Sequence, residues 1–426
     1  MKTYDSICEM VREQNVKFIR LAFFDIFGTQ KNIAIMPHEL KRAFEEGIAI
    51  DGSAIAGFQD AARSDLFLEP DPETEAQIPW RSYDGGVIRM FCDITNPDGS
   101  IYERDSRYLL KQAVARAEEA GIRVHFGAEV EFYIFRLDEK GEATRIPHDN
   151  AGYFDIAPRD RGENLRRDIC NFLLDMGIFP ESSHHENGPG QHEVVFRYSD
   201  PLTTADNTST LKWVVQSVAL TENCYADFSP KPIPGQAGNG MHLNISVDRL
   251  EDAAEDSLVQ GFRDDVELSN SFMAGILRYI SAMTLFLNPV GASYDRLGKL
   301  QAPRYISWSE QNRSQLIRIP ATRSGRRRFE LRSPDPMANP YLAFALLIEA
   351  GLAGIREHMK LPEPVDEDLY LAGSAVTDQL EKLPETPYEA VQAAAESAWI
   401  REILPEGYLN VYADRCIGTE AGRYRR

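Results

Sequence analysis

The sequence predicts an α+β protein of two units, and three observations carry the prediction. Up to about residue 103, short alternating runs and turns dominate, with one helical piece. Beyond it, helical stretches alternate with strands. Between two such strands lies Pro180-Glu-Ser-Ser-His-His-Glu-Asn-Gly-Pro-Gly-Gln-His-Glu193, where Gly188, Pro189 and Gly190 can reverse the backbone into a hairpin. At 426 residues the chain is long enough for one large domain and a smaller one.

In chain order, Val16–Phe24 alternates as a strand, and Asp25–Gly28 turns it into Lys31–Ile35. Residues 37–47, opening on Pro37, read as a short amphipathic helix. Asp51–Phe58 is loop-like, and Glu69 to Trp80 reads as an acidic loop punctuated by prolines. Residues 87–93 form another strand. Asp105 and Ser106 cap a helix that runs to Glu119 and stops at Gly121, which puts the domain boundary between 103 and 104. Strands follow at 123–135, 191–198 and 241–247, with helices at 163–176, 209–223, about 267–287, about 340–357 and near 387–402.

Composition removes several function classes. A net charge of −20 argues against nucleic-acid or anionic-membrane partners. No apolar run is long enough to span a bilayer, and the first residues lack a signal core, so a cytoplasmic setting is expected. The five cysteines are scattered and read as reduced.

The chemistry-bearing residues cluster on strands. His184 and Glu186, two apart, share a strand face, and Glu193 opens the apolar run Val194–Phe196. Glu129 and Glu131 sit two apart between bulky apolar neighbours, where neither face looks wet. His242, Asn244 and Ser246 repeat the spacing after a glycine-containing loop, and Glu330 and Arg332 repeat it again. A solvated polar loop or face is the usual fate of such composition. Here apolar strand lies directly behind the carboxylates, which favours a cation between them. Carboxylate-rich sites without cysteine suit Mg²⁺ or Mn²⁺, and arginines nearby suit phosphate. Arg296, Arg313, Arg318, Arg323, Arg326, Arg327, Arg328 and Arg332 supply them.

These segments resemble the glutamine synthetases of the bacterial class I type along essentially the whole chain. The likeness runs through Phe24–Gly28, Asp51–Ser53, Gly127–Phe132, His184–Glu186, Gly190–Glu193, Lys231–Ile233 and Gly240–His242. It continues in Ser293–Leu297, Asn312–Ser314, Ile317–Pro320 and Glu330–Asp335. The resemblance implies an N-terminal β-grasp domain (1–103) and a C-terminal catalytic domain (104–426), an antiparallel sheet flanked by helices. It also implies a homo-oligomer of stacked rings, a dodecamer, with active sites between neighbouring subunits. Carried over residue by residue, Glu131, Glu186 and Glu193 would hold one metal, and Glu129, His242 and Glu330 the other. Glu181, His184, Tyr198, Ser246 and Arg328 match nucleotide contacts. Arg296, Arg313 and Arg332 match the grip on the acid and its phosphate, Arg318 a further phosphate contact, and Asp51 the ammonium side. The implied reaction is ATP- and Mg²⁺-dependent joining of a γ-carboxylate, that of L-glutamate, to an amine through an acyl phosphate.

Two departures redirect the expectation. The family's flap ends Glu-Ala-Pro, its Glu accepting a proton from ammonium. Here the flap is one residue shorter and reads Gln301-Ala-Pro303. The loop whose Asn touches glutamate reads Ala237-Gly-Asn-Gly-Met-His242. The sequence therefore predicts a γ-glutamyl ligase whose nucleophile is an organic amine. A true glutamine synthetase using ammonia is the first alternative, and a catalytically silent structural or regulatory relative the second. The family's adenylylation context is not evident around Tyr370.

Overall fold

The computed structural model describes residues 2–81, 85–250, 265–323 and 327–423. They divide into two compact units, 1–109 with 170–179, and 110–169 with 180–426.

The first unit is built on a six-stranded sheet. β1 (Val16–Phe24) pairs antiparallel with β2 (Gln30–Ile35) and parallel with β6 (Gly86–Thr95). β4 (Asp65–Pro70) lies between β6 and β3 (Ile48–Asp51), while the two-residue β5 (Ala76–Gln77) adds to β6. Strands β1 and β6 place Ile19, Leu21, Ile88 and Met90 in a dry core. Two helices differ from the sequence reading. An unforeseen helix, α1 (Tyr4–Glu13), precedes β1. Its N-cap Thr3 pairs reciprocally with Ser6, a capping box without the Glu or Gln that usually signals one. The helix expected at 37–47 is a 3₁₀ turn at Pro37–Glu39 followed by α2 (Leu40–Glu45). The segment read as an acidic loop carries the end of β4 and all of β5, two residues each and too short to show an alternation.

The second unit carries a nine-stranded sheet centred on β7 (Ile122–Leu137), sixteen residues long and buried on both faces through most of its length. One edge of β7 pairs with β12 (Met241–Arg249). The other pairs with β10 (Gln191–Phe196), which is joined to β9 (Pro180–His185) by the expected turn. Its far end takes β8 (Ala143–Pro147) and β11 (Cys224–Asp227). Beyond β12 come β15 (Phe329–Leu331), β14 (Ile317–Ile319) and β13 (Trp308–Glu310). Only β13 and β14 run parallel among these described strands.

Helices follow the chain as α3 (Ser106–Glu119), α4 (Glu163–Asp175), α5 (Pro201–Thr221), α6 (Val266–Leu287), α7 (Gly291–Arg296) and α8 (Pro340–Arg356). Four more complete it: α9 (Ser374–Thr377), α10 (Pro387–Glu396), α11 (Ala398–Ile403) and α12 (Tyr408–Arg423). Helix α5 begins eight residues before its expected start of 209, because Asp200 caps it and Pro201 presets its first turn. The single helix expected near 387–402 breaks at Ser397, whose side chain caps α11.

Helices α6 and α8 are apolar around most of their circumference and buried. They touch at backbone distance. A Cβ on Gly275 would stand 2.0 Å from the Ala350 carbonyl oxygen, and one on Gly354 would stand 2.1 Å from that of Ser271. Backbone cannot yield as a side-chain tip can, so Gly275→Ala should destabilise the protein by about 1–3 kcal/mol or more. Gly418→Ala on α12, where a Cβ meets nothing within 4 Å, should be neutral or stabilise by up to about 1 kcal/mol from helix propensity alone. Thermal denaturation of both variants tests this, and equal midpoints would refute the close crossing.

Candidate functional site

Strand register builds the site. In antiparallel pairs, directly opposed residues hold their Cβ atoms about 4.5–5.5 Å apart. The register sets Glu193 opposite Glu131 on one side and His184 on the other. It sets His242 opposite Glu129, and Glu330 opposite Asn244 and Arg318. Residues from six strands therefore meet on one stretch of sheet. Over it opens a cavity of about 720 Å³.

Most of the expected residues line this cavity: Glu129, Glu131, Glu181, His184, Glu186 and Glu193, with Tyr198, His242 and Ser246. Arg313, Arg318, Arg328 and Arg332 line it too. Glu330 lies just behind them, 1 % exposed. It accepts from Arg318 Nε at 2.6 Å and from Arg332 Nε at 3.2 Å. Arg296 is buried and opens on a smaller recess alongside. Asp51 is not among the lining residues. It ends β3 in the first unit, exposed, with Oδ1 accepting from the Ser53 hydroxyl at 2.6 Å, a bond that lowers its carboxyl below the usual range. Arg323 is exposed, and Arg326 lies outside the described residues.

One expected metal set forms a single group. Ligand atoms of Glu129, His242 and Glu330 lie within 4.8 Å of one another. The other set falls into two overlapping groups, Glu131–Glu193–His242 and His184–Glu186–Glu193. His184 Nε2 lies 2.8 Å from Glu186 Oε1 and 3.8 Å from Glu193 Oε1. A fourth group joins Asp149 to His185 and His192, which oppose each other within the hairpin. There Arg166 Nη1 lies 2.8 Å from His192 Nδ1, and its guanidinium already supplies the positive charge.

Electrostatics test whether cations fit the cavity. Burial pushes the Glu193 carboxyl well up, and the charges of Glu129, Glu131, Glu186 and Glu330 push it further. Burial acts the same way on Glu131, outweighing the His242 charge. Glu129 goes the other way. Burial would raise it, but His242, Asn244 and Arg318 together hold it near about 2. Carboxylates stacked opposite one another repel, and the imidazoles and arginines neutralise only part of that. Hard oxygen donors with one or two imidazoles and no thiolate fit Mg²⁺ or Mn²⁺.

Tyr153 and Asn187 line the cavity without having been singled out in the sequence, whereas Asn244 was. Tyr153 and Phe154 stack at 4.1 Å between centroids, and both meet the edge of the His184 ring. Asn187 donates from Nδ2 to Glu186 Oε2 at 3.1 Å and reaches Gln301 Oε1 at 3.5 Å. Asn244 accepts from Arg328 Nε and donates to Glu129 Oε1, linking a nucleotide candidate to a metal candidate. Asn187 was open to local reading, since it directly follows Glu186. The aromatic pair carried no such signal.

Known proteins resemble the chain along nearly its whole length. Residues 15–97 match the family model described as the glutamine synthetase β-grasp domain, and 103–424 the one described as its catalytic domain. A glutamine synthetase of Clostridium saccharobutylicum is 42% identical over 98% of this chain and 94% of its own. One of Staphylococcus aureus is 41% identical over 96% and 93%. Among solved structures, a GmaS–ADP complex superposes with a TM-score of 0.86 at 27% identity, covering 100% of this chain and 97% of that one. A cryo-EM glutamine synthetase of Plasmodium falciparum shares the fold at TM-score 0.83 and 23% identity, covering 100% and 97%.

Proposed function

The chain belongs to the glutamine synthetase family and is a carbon–nitrogen ligase of that ATP-dependent type, and from this premise we propose that it joins the γ-carboxylate of L-glutamate to an organic amine. The observation that carries the choice of amine is Gln301. It lines the cavity with Asn187, and the two amides approach at 3.5 Å. Neither amide can take a proton from an ammonium ion.

The acid's γ-carboxylate accepts the terminal phosphoryl group of ATP, and the amine nitrogen then attacks the acyl carbon, expelling phosphate and losing a proton. Glu181, His184, Tyr198, Ser246 and Arg328 position the nucleotide. Arg313, Arg318 and Arg332 stabilise the charge that develops on the transferring group. Arg296 gives the acid end a positive surround. Divalent cations held by Glu131, Glu186 and Glu193, and by Glu129, His242 and Glu330, would neutralise phosphate oxygens when bound. The work divides between a small domain, 1–103, and a catalytic one, 104–426.

A glutamine synthetase using ammonia is the second reading, favoured by the names of relatives at 41–42% identity. A silent relative is disfavoured, because no structural need gathers these carboxylates and arginines around one cavity. Phosphate release from ATP with L-glutamate and a panel of amines separates the three. Release with alkylamines over ammonia supports the proposal, ammonia as the best nucleophile supports the second reading, and no release with any pair supports silence.

Among the described residues, no helix is long and apolar enough to cross a membrane, and a cytoplasmic setting is part of this reading. So is assembly into stacked rings, a dodecamer, where Asp51 of one subunit completes the site of the next. Sedimentation should show a large homo-oligomer. An active monomer would overturn the shared site.

A further inference from the structure

Two of the three carboxylates assigned to one cation, Glu131 and Glu186, each have one oxygen already taken by the protein. Glu131 Oε2 accepts from the Gly240 N–H at 2.7 Å and from Gln191 Nε2 at 3.3 Å. Glu186 Oε2 accepts twice from Asn187, from its backbone N–H at 3.1 Å and from Nδ2 at 3.1 Å. A carboxylate oxygen offers about two lone-pair sites, so both Oε2 atoms are filled. The other oxygens are left for the cavity that both residues line. Glu131 Oε1 accepts no hydrogen bond among the described residues. Glu186 Oε1 faces His184 Nε2 at 2.8 Å, within the ligand group His184–Glu186–Glu193. The second set is built otherwise. Glu330 accepts on both oxygens from guanidiniums, and Glu129 Oε1 takes a single amide N–H from Asn244.

Gln191 is fixed in its orientation. It is 1 % exposed, and its Oε1 accepts from the Gly188 N–H at 2.9 Å. Its Nε2 lies 3.1 Å from the Gly238 carbonyl and 3.1 Å from Asn239 Oδ1, besides Glu131. Asn239 is itself held, Nδ2 donating to the carbonyls of Asp227 and Ser229. Flipping the Gln191 amide would set its oxygen against three acceptors. The donor to Glu131 is therefore built in, and it comes from the same turn that carries Glu186.

Ion size gives this arrangement a consequence. Ca²⁺ gathers many oxygens and often takes both from one carboxylate, whereas Mg²⁺ demands a strict octahedron and keeps several waters. Withholding one oxygen from each of two ligands removes coordination that Ca²⁺ uses and a small octahedral ion does not.

We propose that Gln191 and Asn187 are positioning residues that confine Glu131 and Glu186 to one oxygen each and so make this position select Mg²⁺ or Mn²⁺ over Ca²⁺. The proposal rests on the ligand assignment above and adds the source of its ion preference.

The test reads ion binding without turnover. Mn²⁺ bound to the nucleotide-free protein is followed by electron paramagnetic resonance and displaced by Mg²⁺ or by Ca²⁺. Gln191→Met keeps the side chain's length and removes its amide. It should weaken Mg²⁺ at one cation position by about tenfold to a hundredfold, the range for losing an outer partner of a metal ligand. Ca²⁺ affinity there should hold or rise. A merely structural loss would weaken both ions alike, and that result, or an unmoved ratio, would overturn the proposal. Asn187 is exposed, so Asn187→Ala tests the same device without disturbing the core. Its backbone N–H still fills one site on Glu186, and the shift should run the same way but be smaller. Should Gln191→Met not fold, an unmoved ratio in Asn187→Ala overturns the proposal. A wild type that binds no Mn²⁺ would end the ligand assignment and the proposal together. One that shows the shift but releases phosphate with no amine would remove the ligase reading and leave the proposal standing.

Discussion

Glu129→Ala should lose at least about a hundredfold in ATP-dependent phosphate release, the scale of removing one preorganised electrostatic group, while remaining folded. The carboxylate faces His242 at 3.7 Å and accepts from Asn244 at 2.8 Å. Its side chain is 29% exposed to the cavity, so its removal leaves no void in the core. Glu330→Ala should be as inactive but less stable. That carboxylate joins Arg318 and Arg332 almost out of contact with water, and removing one partner strands buried charge. Mn²⁺ titration followed by electron paramagnetic resonance should count one ion fewer in Glu129→Ala, with circular dichroism unchanged. Full activity in that variant would end the ligand assignment.

Gln301→Glu should raise kcat/KM for ammonia by at least about tenfold, a conservative part of the 10²–10⁴-fold range of general-base catalysis. An ammonium ion must shed a proton before it attacks an acyl phosphate, and a carboxylate can both attract it and accept that proton. A neutral amide accepts a hydrogen bond only. An alkylamine brings apolar surface that helps hold its nitrogen, so its rate depends less on such a base. Asn187 would then donate to a carboxylate instead of an amide, which favours the ionised form. Steady-state kinetics of wild type and variant with ammonia and methylamine provide the test. If the wild-type enzyme already prefers ammonia, the amine reading is wrong whatever the variant does.

Much of this site was legible in the sequence because strands have a period of two. Glu129 with Glu131, and His242 with Asn244 and Ser246, were placed on common faces from spacing alone, and the described strands keep them there. The hairpin was legible from Gly188–Gly190. What spacing could not give was register between strands distant in sequence. Nothing local puts Glu193 between Glu131 and His184, so its membership of two groups emerged only in three dimensions. Arg296 shows the same limit. Its charge was visible, but its commitment to the carbonyls of Arg332 and Ser333 was not. Helix α1 went unread because Ser6 stands where Glu or Gln would have signalled a cap. The start of α5 was missed although Asp200 and Pro201 do signal one.

Two side chains, His242 and Glu193, each belong to more than one candidate ligand group. Sharing has a thermodynamic consequence that separate sites would not have. Whatever occupies one group withdraws electron density and orientation from a donor the next group needs, while also relieving the repulsion among the carboxylates. The affinities of neighbouring positions are therefore tied by reciprocal linkage, each altering the other by the same factor. If cations occupy these groups as proposed, loading the cavity would be a coupled equilibrium, the first ion bound setting the terms on which the second is held.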